Sequence, residues 1–212
     1  MRPASGSAGA RHGRLAHNGA FHELLNYAMP RPLKRLLVLL LGSAALAGAA
    51  HAQGWAPSSF FVQAGGGEDR VRAASAGLRW DWDWRSSLLG AEVTGTTEVF
   101  VSNWRARDLA GGRENFIQLG VVPMFRFRPG AGQSPWFFEA GIGLSVTDER
   151  FVTANKTFST RWNFSDNFAF GRNFGDKGQH ELSLRWQHTS NGGVKKPNPG
   201  LDLLLVRYAT RF

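Results

Sequence analysis

The chain has no cysteine among its 212 residues. That excludes a disulfide framework, a thiol nucleophile and thiolate metal sites. It leaves an oxidising compartment open, because many envelope proteins lack disulfides. Long hydrophobic runs are missing as well. The apolar stretch at residues 36–41 soon becomes Ala- and Gly-rich and is too short to read as a membrane-spanning helix. Sustained helical periodicity is absent after Ala52. Even the basic surplus is mostly local. Six of the 25 Lys and Arg and one of the 16 Asp and Glu precede Gln53, so the remainder carries +4 rather than +9. A nucleic-acid partner loses its main support with that charge.

The N-terminal portion reads as targeting sequence. Pro32-Leu33-Lys34-Arg35 precedes the apolar run, and Ala50-His51-Ala52 has the small-x-small form of a signal-peptidase site. The expected organisation is an over-extended N-terminus at 1–28, a signal peptide at 29–52 cleaved after Ala52, and one domain at 53–212.

What recurs in that domain is alternation with period two, broken by Gly, Pro, Asn and Asp. In 135–147, Trp136, Phe138, Ala140, Ile142, Leu144 and Val146 share one face. Phe137, Glu139, Gly141, Gly143, Ser145 and Thr147 share the other. The same division appears in 75–84, 90–101, 116–128 and the last dozen residues. A soluble sandwich would point its apolar faces inward. Here the apolar faces are broad and aromatic, while charges of both signs sit mid-strand on the opposite faces. That pattern suits a wall with lipid outside and paired charges in the lumen.

The predicted fold is therefore all-β: an eight-stranded antiparallel transmembrane β-barrel of the bacterial outer membrane. Its strands are expected near 59–66, 71–82, 88–101, 115–128, 135–147, 158–172, 180–190 and 201–212. Glycine-rich turns at 130–132 and 175–178 would be periplasmic; loops at 102–114, 148–157 and 191–200 would be extracellular. Phe212 ends the last strand on its lipid face. Asp166 is out of place, since strict alternation turns it toward lipid unless a bulge intervenes.

The polar residues of chemical interest lie in the last two strands. Leu182, Leu184 and Trp186 alternate outward, and the same parity turns His188 and Ser190 outward. Parity on the eighth strand places Asp202 on that side too. Residues two apart on one strand face are about 7 Å apart, so an imidazole can lean toward a serine while a carboxylate on the next strand holds its other nitrogen. This is the nucleophile, base and orienter arrangement of a serine hydrolase. Asn191 offers an amide donor and Gly193 a backbone N–H for an oxyanion, although the Gly192-Gly193 pair equally suits an ordinary turn. Lys195 and Lys196 suit head-group phosphates or a solvated loop. No metal or cofactor is expected.

His188-Thr189-Ser190-Asn191, followed by Gly193, Lys195, Pro197-Asn198 and Gly200, resembles the outer-membrane lipid A 3-O-deacylases. Leu78-Arg79-Trp80-Asp81-Trp82-Asp83, Phe138-Glu139-Ala140-Gly141-Ile142-Gly143 and Phe164-Ser165-Asp166 resemble the same family. The resemblance implies an eight-stranded barrel and an esterase that removes the 3-position acyl chain of lipid A. It implies His188 as base, Ser190 as nucleophile and Asn191 as oxyanion donor. The acid is typically Glu where this chain has Asp202. Partners would be lipopolysaccharide, the outer membrane and, at most, a second copy of the chain. The rival readings are a non-catalytic structural or adhesive barrel and an outer-membrane phospholipase.

Overall fold

The computed structural model describes residues 56–212; the targeting segments expected at 1–28 and 29–52 lie outside them. Eight strands follow in order: β1 (Ser59–Gly67), β2 (Arg72–Leu88), β3 (Ala91–Arg107), β4 (Arg113–Arg128), β5 (Trp136–Thr147), β6 (Trp162–Phe174), β7 (His180–Ser190) and β8 (Leu201–Arg211). Each pairs antiparallel with its chain neighbours, and β1 closes on β8 from Ser59↔Arg211 to Gly67↔Leu203. Closure leaves no open sheet edge, as a wall in hydrocarbon requires.

The alternation read from the sequence is the burial pattern of the wall. In β8, Leu201, Leu203, Leu205 and Arg207 are buried, while Leu204 and Val206 are 52% and 56% exposed. Phe138, Leu119, Phe168 and Leu182 are more than half exposed on other strands. A belt of that size is untenable in water, and it gives the barrel its lipid-facing surface in the outer membrane. No helix among the described residues is long and apolar enough to cross a membrane; the strands do the crossing.

Beyond β2, which runs to Leu88 rather than 82 with a register shift between Asp81 and Arg85, two boundaries depart from expectation. The loop expected at 102–114 is mostly strand, and only 108–112 connects β3 to β4. Alternation continues there, but its chemistry inverts. Ser102, Trp104 and Ala106 point inward and are buried, while Asn103, Arg105 and Arg107 point outward. This part of the hairpin carries polar residues outward, as a section beyond the hydrocarbon does. The second departure is the sixth strand, which starts at Trp162 rather than 158. Phe158 belongs to the preceding loop and is buried in the barrel mouth with Phe151.

The lumen is filled at two levels. At the extracellular end, Trp104, Phe116, Phe151, Phe158, Leu201 and Leu203 belong to one apolar cluster. Deeper, buried arginines and glutamates interlock. Arg79 meets Glu181 at 3.0 Å through two nitrogens, and Arg126 meets Glu139 at 2.6 Å and Glu181 at 2.7 Å. Arg185 and Arg207 both meet Glu98, at 2.7 and 2.9 Å. Arg207 also lies 3.5 Å over the Phe61 ring.

Candidate functional site

The antiparallel register puts three outward-facing polar residues in one row, Asp166 on β6, His188 on β7 and Asp202 on β8. Pairing runs without a break through Asp166 on both sides, so no bulge turns it inward. It flanks His188 on the side away from Asp202.

His188 and Asp202 are joined as parity suggested. His188 Nδ1 lies 2.7 Å from Asp202 Oδ1. A carboxylate only accepts, so Nδ1–H donates, and in the neutral ring Nε2 is the acceptor. The imidazole is fixed on two further sides. The Trp186 ring stacks below it at 5.8 Å between centroids and 20° between planes. On another side Gly200 brings bare backbone against the ring. A Cβ there would lie 2.7 Å from His188 Cε1, and φ is +69°. Any other residue would both clash and be strained.

Ser190 follows on the same strand face and is 8% exposed. Its hydroxyl accepts a long contact from the Gly192 N–H at 3.4 Å. Among the described residues it makes no hydrogen bond to His188. Loose nucleophile–base contacts are common before substrate binds.

Asn191 and Gly193 are next to the serine but committed elsewhere. The buried Asn191 amide donates to Ser159 Oγ at 2.9 Å, Thr160 Oγ1 at 3.3 Å and the Lys195 carbonyl at 2.8 Å. Its Oδ1 accepts the Gly193 N–H at 3.0 Å. In this arrangement neither expected oxyanion donor is free: the Asn191 amide ties the loop to the β5–β6 connection, and the Gly193 N–H is held within the loop by Asn191 itself. Lys195 and Lys196 are exposed, with no ion pair among the described residues.

Sequence reasoning gave no role to Asn198, Gly200 or Lys156. Asn198 Oδ1 accepts the Asn191 N–H at 3.0 Å, which leaves its own amide N–H groups beside the serine loop. Lys156 Nζ donates to the Gly200 carbonyl at 2.9 Å and meets Glu68 at 2.6 Å. The Pro197-Asn198-Pro199-Gly200 stretch marked a turn just before an acidic strand residue, but its contact with the imidazole depends on the fold.

Known proteins resemble this chain in sequence and in fold. Residues 74–211 match the family model described as "Lipid A 3-O-deacylase (PagL)". The lipid A deacylase PagL of Bordetella bronchiseptica is 33% identical over 117 residues, 55% of this chain and 62% of that protein. The match thus spans under two thirds of that relative's length. The Pseudomonas aeruginosa protein of the same name is 30% identical over 135 residues, 62% of this chain and 73% of that one. A crystal structure of the outer membrane enzyme PagL superposes with a TM-score of 0.63 at 24% identity, covering 73% of this chain and all of the other, a likeness of fold.

Proposed function

The chain belongs to the lipid A 3-O-deacylase (PagL) family, and from that premise we propose that it hydrolyses the 3-position acyl ester of lipid A in the outer leaflet, with Ser190, His188 and Asp202 as a catalytic triad. The observation that carries this reading is the 2.7 Å bond from His188 to Asp202 on the lipid-facing wall, with Ser190 two residues further on the same face.

Ser190 Oγ attacks the ester carbonyl carbon. His188 Nε2 takes the hydroxyl proton, and Asp202 stabilises the imidazolium and holds its tautomer. The carbonyl oxygen becomes an oxyanion. The Gly192 N–H, already the nearest donor to Ser190, and the unused Asn198 amide are the best-supported donors to it. The roles expected of Asn191 and Gly193 would first require their loop bonds to exchange. Collapse breaks the bond to the sugar oxygen, which leaves with the proton from Nε2. Water activated by the same imidazole then attacks the acyl-enzyme, releasing the fatty acid and restoring Ser190.

An ester that lies at the boundary between sugar and acyl chain explains why the triad faces outward. A lumenal site in a filled barrel would never meet the substrate. Lys195 and Lys196 stand at the same rim and suit the phosphates of the substrate's head group.

The test is mass spectrometry of lipid A from a heterologous host expressing the chain. Wild type is expected to shift lipid A by the loss of one 3-hydroxyacyl chain. Ser190→Ala is expected to fold and to give no shift. A shift produced by Ser190→Ala would sink the triad. Release of fatty acid from glycerophospholipid instead would move the substrate to phospholipids.

A further inference from the structure

A second polar cluster stands on the outward face, away from the triad. Arg72 on β2 lies directly opposite Arg105 on β3, and one row further out Arg107 lies opposite Arg113 on β4. All four are exposed, and none has a side-chain ion pair or hydrogen bond among the described residues. Like charges directly opposite each other on a sheet are destabilising. The outward positions at these strand ends offer no acid to offset them; the neighbours Asn103 and Asn115 are neutral donors and acceptors. Asp69 and Asp108 lie near Arg107, and Glu114 follows Arg113, yet no carboxylate forms a salt bridge with any of the four guanidinium groups among the described residues, and guanidinium suits phosphate.

The wall just below them is hollow. An open groove of about 700 Å³ is lined by Ala64, Ala74, Ala76, Val101, Asn103 and Ile117, among others. Register links the two features. The Arg72–Arg105 row is followed by Ala74↔Asn103 and then Ala76↔Val101, each row on the same outward face. Alanines on β1 and β2 form a floor, and larger side chains on β3, β4 and β8 stand at its sides. Cations above an apolar groove match a lipid with phosphate at its head and acyl chains below.

This place is distinct from the triad. Between His188 on β7 and the β2–β3 seam lie β8 and β1, so the two sites face nearly opposite ways around an eight-stranded wall. A lipid seated at Ser190 lies on the other side of the barrel.

We infer that Arg72 and Arg105, with Arg107 and Arg113 above and the alanine-floored groove below, form a binding site for a second lipid A molecule, held by its phosphates and one acyl chain and not hydrolysed. The inference shares with the proposed function the placement of this rim in the lipopolysaccharide leaflet, but not the triad. Lipid A fits better than a singly charged phospholipid, because it brings two phosphates to a rim with four cations.

The test counts lipids. Ser190→Ala barrel is folded in detergent, mixed with purified bis-phosphorylated lipid A and weighed by native mass spectrometry. Adding Arg72→Gln and Arg105→Gln is expected to remove one bound lipid A and to weaken that binding step by about tenfold or more. Ala74→Trp, which fills the groove and keeps the charge, is expected to remove the same copy. Phosphate-free lipid A should fail to occupy this site in the parent barrel. Retained electrophoretic heat-modifiability reports that each variant has folded. Equal lipid counts with and without the two arginines would overturn the inference, as would equal filling by phosphatidylglycerol. The expected difference is one lipid whether or not the triad face also holds one. Failure of the catalytic reading, seen as activity in Ser190→Ala, therefore leaves this count intact.

Discussion

The two levels of the lumen solve one packing problem with opposite chemistry. The extracellular level is apolar, with Trp104 and Phe151 0% exposed and their rings 5.6 Å apart, edge to face. The deeper level is ionic, with Glu98 0% and Arg185 2% exposed. The apolar level includes Leu201 and Leu203, the residues on either side of Asp202. Its packing therefore fixes the strand that carries Asp202. The ionic level joins β2, β3, β4, β5, β7 and β8 through Arg79, Glu98, Arg126, Glu139, Glu181, Arg185 and Arg207. Dispersion holds the site end, while charge ties strands across the lumen.

The two levels should therefore break differently. The largest loss is expected at Glu98→Ala, which leaves Arg185 and Arg207 sharing too little negative charge. Breaking a buried pair from one side costs about 3–5 kcal/mol. The urea midpoint of the folded barrel should fall accordingly, while the folded fraction keeps its specific deacylase activity. Phe158→Ala strikes the other level and should cost about 3 kcal/mol, at the low end for a buried aromatic because its loop can collapse inward. Here activity should fall with stability, since Phe158 packs in the cluster that holds Leu201 and Leu203. A Phe158→Ala barrel with full specific activity would separate the cap from the site.

The smallest stability effect is expected where the cap meets the site. Lys156 is paired with a half-exposed Glu68, so Lys156→Met should cost under about 1 kcal/mol. It also removes the donor to the Gly200 carbonyl, the backbone that lies against the imidazole. Initial rates should drop about several-fold in kcat with KM little changed, as for loss of orientation rather than of binding. A change confined to KM would argue against this route.

The strands were legible because each side chain has only two ways to point, and lipid and lumen demand different chemistry. His188, Ser190 and Asp202 were legible for the same reason, since parity on two neighbouring strands is enough to bring them to one face. The ends of β3 and β4 were harder to read. Above the hydrocarbon, Arg105 and Arg107 point outward and Trp104 inward, so the apolar-out rule no longer marks a strand. The inward fold of the β5–β6 loop had no periodicity to betray it. The engagement of Asn191 depends on Ser159 and Thr160, some 30 residues away, and could not be read from its own neighbourhood. Asp166 was visible as an anomaly, but its place beside His188 needed the β6–β7 register.

The doubly filled lumen has a consequence for the cell that carries the protein. A barrel is a potential leak, and an enzyme needed in many copies would multiply it. Rings obstruct the lumen at one level and ion pairs at the next. Reconstituted in a planar bilayer, the folded chain should be electrically silent. The proposed lipid chemistry then runs at the cell surface without compromising the permeability barrier that the surface exists to maintain.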